Sequence, residues 1–283
     1  MSRYVVAVDG SRPAEAALRW AASRSKDDGL PLVLVHVVED EADGMGRQYE
    51  AEAARDGARL LSETADHLSA TTHQLVVTTV QLTGSVPRAL ADFARADDVL
   101  VIGTGKTGYL HGRVLGSRSV QIAIAAACTV AVIPDVDLRF RRGVVAGVDR
   151  HSTAGSIARS AAQEATARGE ELLLVQATPD TGLRRTAAER ADLALTDASS
   201  SARAAFPHLL IRTRVSERPP AEALLDIARD KALLVLGPGS LNPSRSPIGS
   251  VLHDVLLNVN APVLISRPTD HSVPESHKLR PVC

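Results

Sequence analysis

Val5-Val6-Ala7-Val8-Asp9-Gly10-Ser11, near the start of the chain, is answered in its middle by Val144-Val145-Ala146-Gly147-Val148-Asp149. Each stretch is an apolar run of strand character that ends in an aspartate. The correspondence continues downstream. Val99-Leu100-Val101-Ile102-Gly103-Thr104-Gly105 matches Leu233-Leu234-Val235-Leu236-Gly237-Pro238-Gly239, and Gly116-Ser117 matches Gly249-Ser250. Thr129-Val130-Ala131-Val132-Ile133-Pro134 matches Pro262-Val263-Leu264-Ile265-Ser266. One unit has been duplicated, and a repeat of this length is read before any local feature.

Between these landmarks strands and helices alternate. Leu32–Val38 is apolar at nearly every position, as expected of a strand covered on both faces. Pro13 suits a first helical turn and opens an alanine-rich helix. Tyr49–Leu68, Pro87–Ala96 and Ser119–Ala127 read as further helices, and Gln74–Leu82 as the third strand. The second half predicts strands at 143–148, 171–177, 209–215, 233–236 and 263–266, with helices at 153–167, 183–205, 220–228 and 250–257. A β-α-β-α alternation demands crossover connections and hence parallel strands. The expected fold class is α/β, with two tandem doubly wound, Rossmann-like domains, each a five-stranded parallel sheet. The expected borders are 1–137 and 142–268, with a disordered tail at 269–283.

Composition narrows the function. The chain has 283 residues, 45% hydrophobic but only 2% aromatic, and a formal net charge of −1. That balance lacks the basic footprint and stacking aromatics of a nucleic-acid binder. No apolar run reaches the ~20 residues of a membrane span, and the opening residues lack a signal-peptide layout. Cys128 and Cys283 make no disulfide framework, so a cytoplasmic location is expected. The nine histidines do not fall at metal-ligand spacings with cysteines or carboxylates. His36 reads as a core or loop-facing residue and Trp20 as a core residue.

The chemistry lies in the repeated elements. Asp9 and Asp149 stand at the carboxyl ends of their strands, the edge where open α/β sheets bind ligands. A carboxylate there accepts hydrogen bonds from a ribose or an adenine amine, or serves simply as a helix N-cap. Gly103 and Gly105, then Gly116-Ser117 at a helix start, offer backbone N–H groups to a phosphate without a Cβ in the way. Ser119 adds a hydroxyl. Lys106 is either a point charge for a phosphate or a solvated loop lysine. A true P-loop would need glycine at position 100, where the chain has Leu100. No serine has the setting of a nucleophile elbow.

These residues resemble the universal stress protein family in its tandem-domain form, over Tyr4 to about Pro268. The resemblance rests on Val5–Ser11, on Ala17-Leu18-Arg19-Trp20-Ala21 and on Leu34-Val35-His36-Val37. It also rests on a Gly-x2-Gly-x9-Gly-Ser/Thr pattern. In the first half Lys106 takes the middle glycine position. In the second half Gly239-x9-Gly249-Ser250 is intact and Gly237 is one residue too close.

The resemblance implies ATP as ligand, with Mg2+ open as its companion and a homodimer open as the assembly. It implies that Asp9 meets the ribose or base, that Val37 meets adenine through its backbone, and that Gly103, Gly105, Gly116, Ser117 and Ser119 wrap the phosphates. The second-half counterparts are Asp149, Ala177, Gly237, Gly239, Gly249 and Ser250; Ala7 and Lys106 complete the expected set. The first half is the better site, because Arg150-His151 replace Gly10-Ser11 and Leu252 replaces Ser119. The expected role is that of a nucleotide-dependent regulator in stress response. A slow ATPase or autophosphorylating protein, and a non-nucleotide-binding interaction protein of the same fold, remain the alternatives.

Overall fold

A computed structural model describes residues 2–39, 47–72, 75–105, 118–149, 153–177, 184–239 and 248–267. Lys106, Gly116, Ser117 and the expected tail lie outside the described residues. The first half runs β1 (Tyr4–Ala7), α1 (Arg12–Asp28), β2 (Leu32–Val38), α2 (Arg47–Thr71), β3 (Val77–Thr83), α3 (Val86–Phe93), β4 (Val99–Thr104), α4 (Arg118–Ala125) and β5 (Thr129–Pro134). The second runs β6 (Val144–Gly147), α5 (Ala154–Arg168), β7 (Leu172–Ala177), α6 (Arg184–Ala205), β8 (Ile211–Ser216), α7 (Pro220–Ala228), β9 (Leu233–Leu236), α8 (Ser250–Leu257) and β10 (Val263–Ile265). The expected elements are all present; their ends coincide with expectation or shift by one to three residues, except that α1 extends further, to Asp28.

Local chemistry sets the ends of α1. Ser11 caps its start, with Oγ accepting from the Ala14 N–H at 3.3 Å. Gly29 closes it at φ 67°, and Gly169 closes α5 in the same way at φ 65°. A residue with a Cβ adopts that left-handed conformation only at a cost, so glycine terminates both helices at the matched place.

Within each half the strands are parallel, in the order β3-β2-β1-β4-β5 and its copy β8-β7-β6-β9-β10. The two halves do more than pack. They form one ten-stranded sheet, because β5 and β10 pair antiparallel, with Val130 opposite Ile265, Ala131 opposite Leu264 and Val132 opposite Val263. Antiparallel pairing of equivalent strands is what a pseudo-two-fold axis produces, and it removes two open edges.

The pleat sends successive residues to opposite faces. Val6, Leu32 and Leu34 pack with Trp20 and Ala17 in one layer, and Val5, Val33 and Val35 pack with Leu90 and Ala123 in the other. Each fully buried Val, Leu or Ile side chain contributes about 1.5–3 kcal/mol, and these residues together with alanine make up nearly all of both layers.

One polar cluster crosses the axis. Arg24 of α1 donates to Glu164 of α5 through two nitrogens, at 2.5 and 2.7 Å. The two residues lie 140 positions apart, the same spacing as Gly29 and Gly169, so they occupy one position of the repeat with opposite charges. Asp28 flanks Arg24 at 3.8 Å, and its repeat counterpart Arg168 flanks Glu164 at 3.9 Å. The signs therefore alternate in space as Asp28, Arg24, Glu164, Arg168. Tyr4 hydrogen-bonds to Asp28, and its hydroxyl accepts from Arg24 Nε at 3.2 Å. Burial pushes the Tyr4 phenol above its ordinary range.

Candidate functional site

A cleft of about 340 Å³ opens at the carboxyl edge of the first half's strands, within the size range of small-molecule sites. It lies over β1 and β4, where the strand order reverses. Of the expected residues, Ala7, Asp9, Val37, Gly103 and Ser119 line it. Gly105 is exposed and does not. The walls are apolar, with Val35, Val86, Leu90, Ile102 and Ile122. Such walls suit a flat heterocycle, and the polar groups gather where the strands end.

The polar groups are held by their own chain. Asp9 Oδ1 accepts from the Ser11 N–H at 2.9 Å, so the carboxylate stabilises the turn into α1. The turn-capping and ligand-facing readings of Asp9 therefore coexist. Ser119 is buried and engaged by its surroundings. His36, expected in the core or facing a loop, stands on the cleft wall with Nδ1 2.8 Å from the Val8 carbonyl. Gly57 of α2 makes room for its ring, since a Cβ there would lie 2.4 Å from His36 Cδ2. A mid-helix glycine costs about 1 kcal/mol relative to alanine, and here it has a steric reason.

Sequence reading missed two charged lining residues, Glu39 after β2 and Arg118 at the start of α4. One Arg118 terminal nitrogen donates to both Glu39 oxygens, at 3.0 and 2.7 Å. A signal was present, because Arg118 directly follows the expected Gly116-Ser117 pair.

Gly103 requires a second explanation. Besides lining the cleft, it lies against the first turn of α1. A Cβ on it would stand 2.3 Å from the Pro13 carbonyl carbon and oxygen and 2.6 Å from the Ala14 nitrogen. The glycine lets helix backbone approach strand backbone, whatever else it permits.

In the second half, described side chains pack closely against the matched glycines. A Cβ on Gly147, the counterpart of Ala7, would meet Leu236 Cδ2 at 2.6 Å and Leu224 at 3.2 and 3.3 Å. The missing methyl lets both leucines settle over β6. Leu252, in the place of Ser119, is also buried. Ile157, in the place of Ala17, presses on Gly237, with a Cβ there 3.2 Å from Ile157 Cδ1. Gly239 and Gly249 face each other, since a Cβ on Gly249 would meet the Gly239 oxygen at 2.7 Å. Gly249 also donates to the Pro238 carbonyl at 2.8 Å. Asp149 and Ala177 keep their strand-end positions, and Ser250 opens α8. The matched glycines thus serve close packing in this half.

Among the described residues no group of three or more histidine, cysteine or acidic side chains is placed to hold a metal. Among them, too, no helix is long and apolar enough to cross a membrane.

A doubly wound sheet with a ligand-sized cleft at its switch point defines the structural class. The chain belongs to the universal stress protein family, whose model matches residues 1–134 and again residues 141–267. A universal stress protein of Mycolicibacterium smegmatis is 29% identical, over 93% of this chain and 96% of its own length. One from Mycobacterium tuberculosis is 28% identical, over 95% and 96%. The crystal structure of a universal stress protein from Archaeoglobus fulgidus shares the fold with a TM-score of 0.75 at 16% identity, covering 95% of this chain and 97% of that one.

Proposed function

We propose that the protein binds an adenine nucleotide, ATP, in the first-half cleft, and acts as a nucleotide-dependent regulator in stress response rather than as a fast enzyme. One observation carries this reading: a ligand-sized, polar-ended cleft opens at the switch point of the first half, with Asp9 and Ser119 on its lining. Asp9 accepts from the ribose or base, the Val37 backbone near the end of β2 faces adenine, and the start of α4 with Ser119 lies toward the phosphates. Helix N-termini favour anions through unsatisfied N–H groups and the helix dipole. Mg2+ would accompany the triphosphate.

Denaturing the purified protein and chromatographing what it releases tests the ligand, with an adenine nucleotide expected at up to one equivalent. Asp9→Ala should weaken ATP binding about ten- to a hundredfold, the loss expected for hydrogen bonds to a charged acceptor. Asp149→Ala should leave it unchanged. Titration calorimetry on both variants reads the difference, and equal effects would defeat the assignment to the first half.

A further inference from the structure

We infer that Arg118 is a specificity-determining residue that reads an anionic group at the cleft mouth, and that Glu39 is its built-in competitor. The inference deepens the nucleotide-binding reading and rests on it. Arg118 and Glu39 both line the cleft, and they come from elements 79 residues apart in the chain. Their contact joins the end of β2 to the start of α4 across the opening. Among the described lining residues Arg118 is the one fixed cation.

The duplication supplies an internal control. In the second half the position of Arg118 is Val251 and that of Glu39 is Pro179. Both charges are absent together, so the pair belongs to the first half's cleft and is not required by the repeated fold. The pair is also easily exchanged. Arg118 is 61% exposed and Glu39 48%, and exposed ion pairs contribute little. A guanidinium bonds a phosphate in the same planar fashion as a carboxylate and matches its geometry with two donors. A phosphate-bearing ligand therefore takes Arg118 from Glu39, whereas an uncharged nucleoside leaves the pair intact. Glu39 lowers the affinity for the anion twice, by occupying Arg118 and by repelling the incoming charge.

The test is a titration of the full-length protein with adenosine and with ATP, without added metal, for wild type, Arg118→Ala, Glu39→Gln and the double variant. Arg118→Ala should weaken ATP binding about tenfold, as for loss of a charge-assisted bond, and leave adenosine within about twofold. Glu39→Gln should tighten ATP severalfold and leave adenosine unchanged. In the double variant most of that gain should vanish, because Glu39 acts mainly through Arg118. Melting temperatures measured without ligand should match wild type, since both side chains are exposed. Equal changes for adenosine and ATP would overturn the inference, as would a Glu39→Gln gain that survives removal of Arg118. If wild type binds neither adenosine nor ATP, the nucleotide-binding reading falls and the inference falls with it. Binding of both with no change in any variant removes the inference alone.

Discussion

Glu164→Arg is expected to destabilise the protein by about 3–5 kcal/mol, the cost of breaking a buried ion pair and leaving a charge without its partner. Arg24 and Glu164 are only 13% and 12% exposed, so water does little to relieve the conflict. The new arginine would also stand beside Arg168. For a chain of this size such a loss lowers the melting temperature by roughly 6–20 °C, which calorimetry or thermal circular dichroism measures. Simple reversal, Arg24→Glu with Glu164→Arg, should recover only part of the loss. It sets the new carboxylate next to Asp28 and the new guanidinium next to Arg168, and so breaks the alternation of signs. Exchanging both positions between the halves, with Asp28→Arg and Arg168→Asp added, restores the alternation and should recover most of it. A Glu164→Arg melting temperature within about 2 °C of wild type, well short of that ~6 °C, would show that the pair has no such role. The same chemistry bears on assembly. Two copies of the first half meeting through this face would set Arg24 against Arg24, whereas the tandem chain sets it against glutamate.

Gly103→Ala is expected to cost about 3 kcal/mol or more, at the upper end for overpacking. The methyl group would overlap backbone atoms of Pro13 and Ala14, and backbone at a capped helix start does not rotate aside as a flexible side chain would. Relief requires α1 to move off β4, which disturbs the layer containing Ala17 and Trp20. Gly105→Ala is the control. Among the described residues its Cβ would meet only Pro13 Cγ, at 3.6 Å, so stability should change by no more than about 0.5 kcal/mol. Chemical denaturation of the two variants separates the explanations. Comparable, small effects would mean that Gly103 is kept only for the ligand and not for packing.

Much of the fold is legible in the chain. Two copies of an apolar run ending in aspartate, separated by helical segments, leave few topologies once parallel strands must be joined by right-handed crossovers. Leu32–Val38, apolar at every position but His36, announces a strand covered on both faces. Strand ends are less legible, because hydrogen-bond partners decide them. Gly143, Glu171 and Ser266 read as strand residues and lie just outside their strands. The cleft was legible in part. Ala7, Asp9, Val37, Gly103 and Ser119 follow from motif position, while Glu39 and Arg118 meet only because β2 ends and α4 begins at the same edge.

What the sequence determined by itself was the duplicated α/β unit, the direction of its strands and the edge at which a ligand cleft forms. These depend on periodicity and on short connections, which are local. The tertiary structure decided that the halves share one sheet through β5 and β10. It decided that Arg24 faces its own repeat position across the axis, and that Gly103 accommodates helix backbone. It also decided how closely the second half packs. Leu224 and Leu236 approach β6 because Gly147 offers no methyl group beneath them. Volume and charge act through contact, and contact between distant residues exists only once the layers have packed.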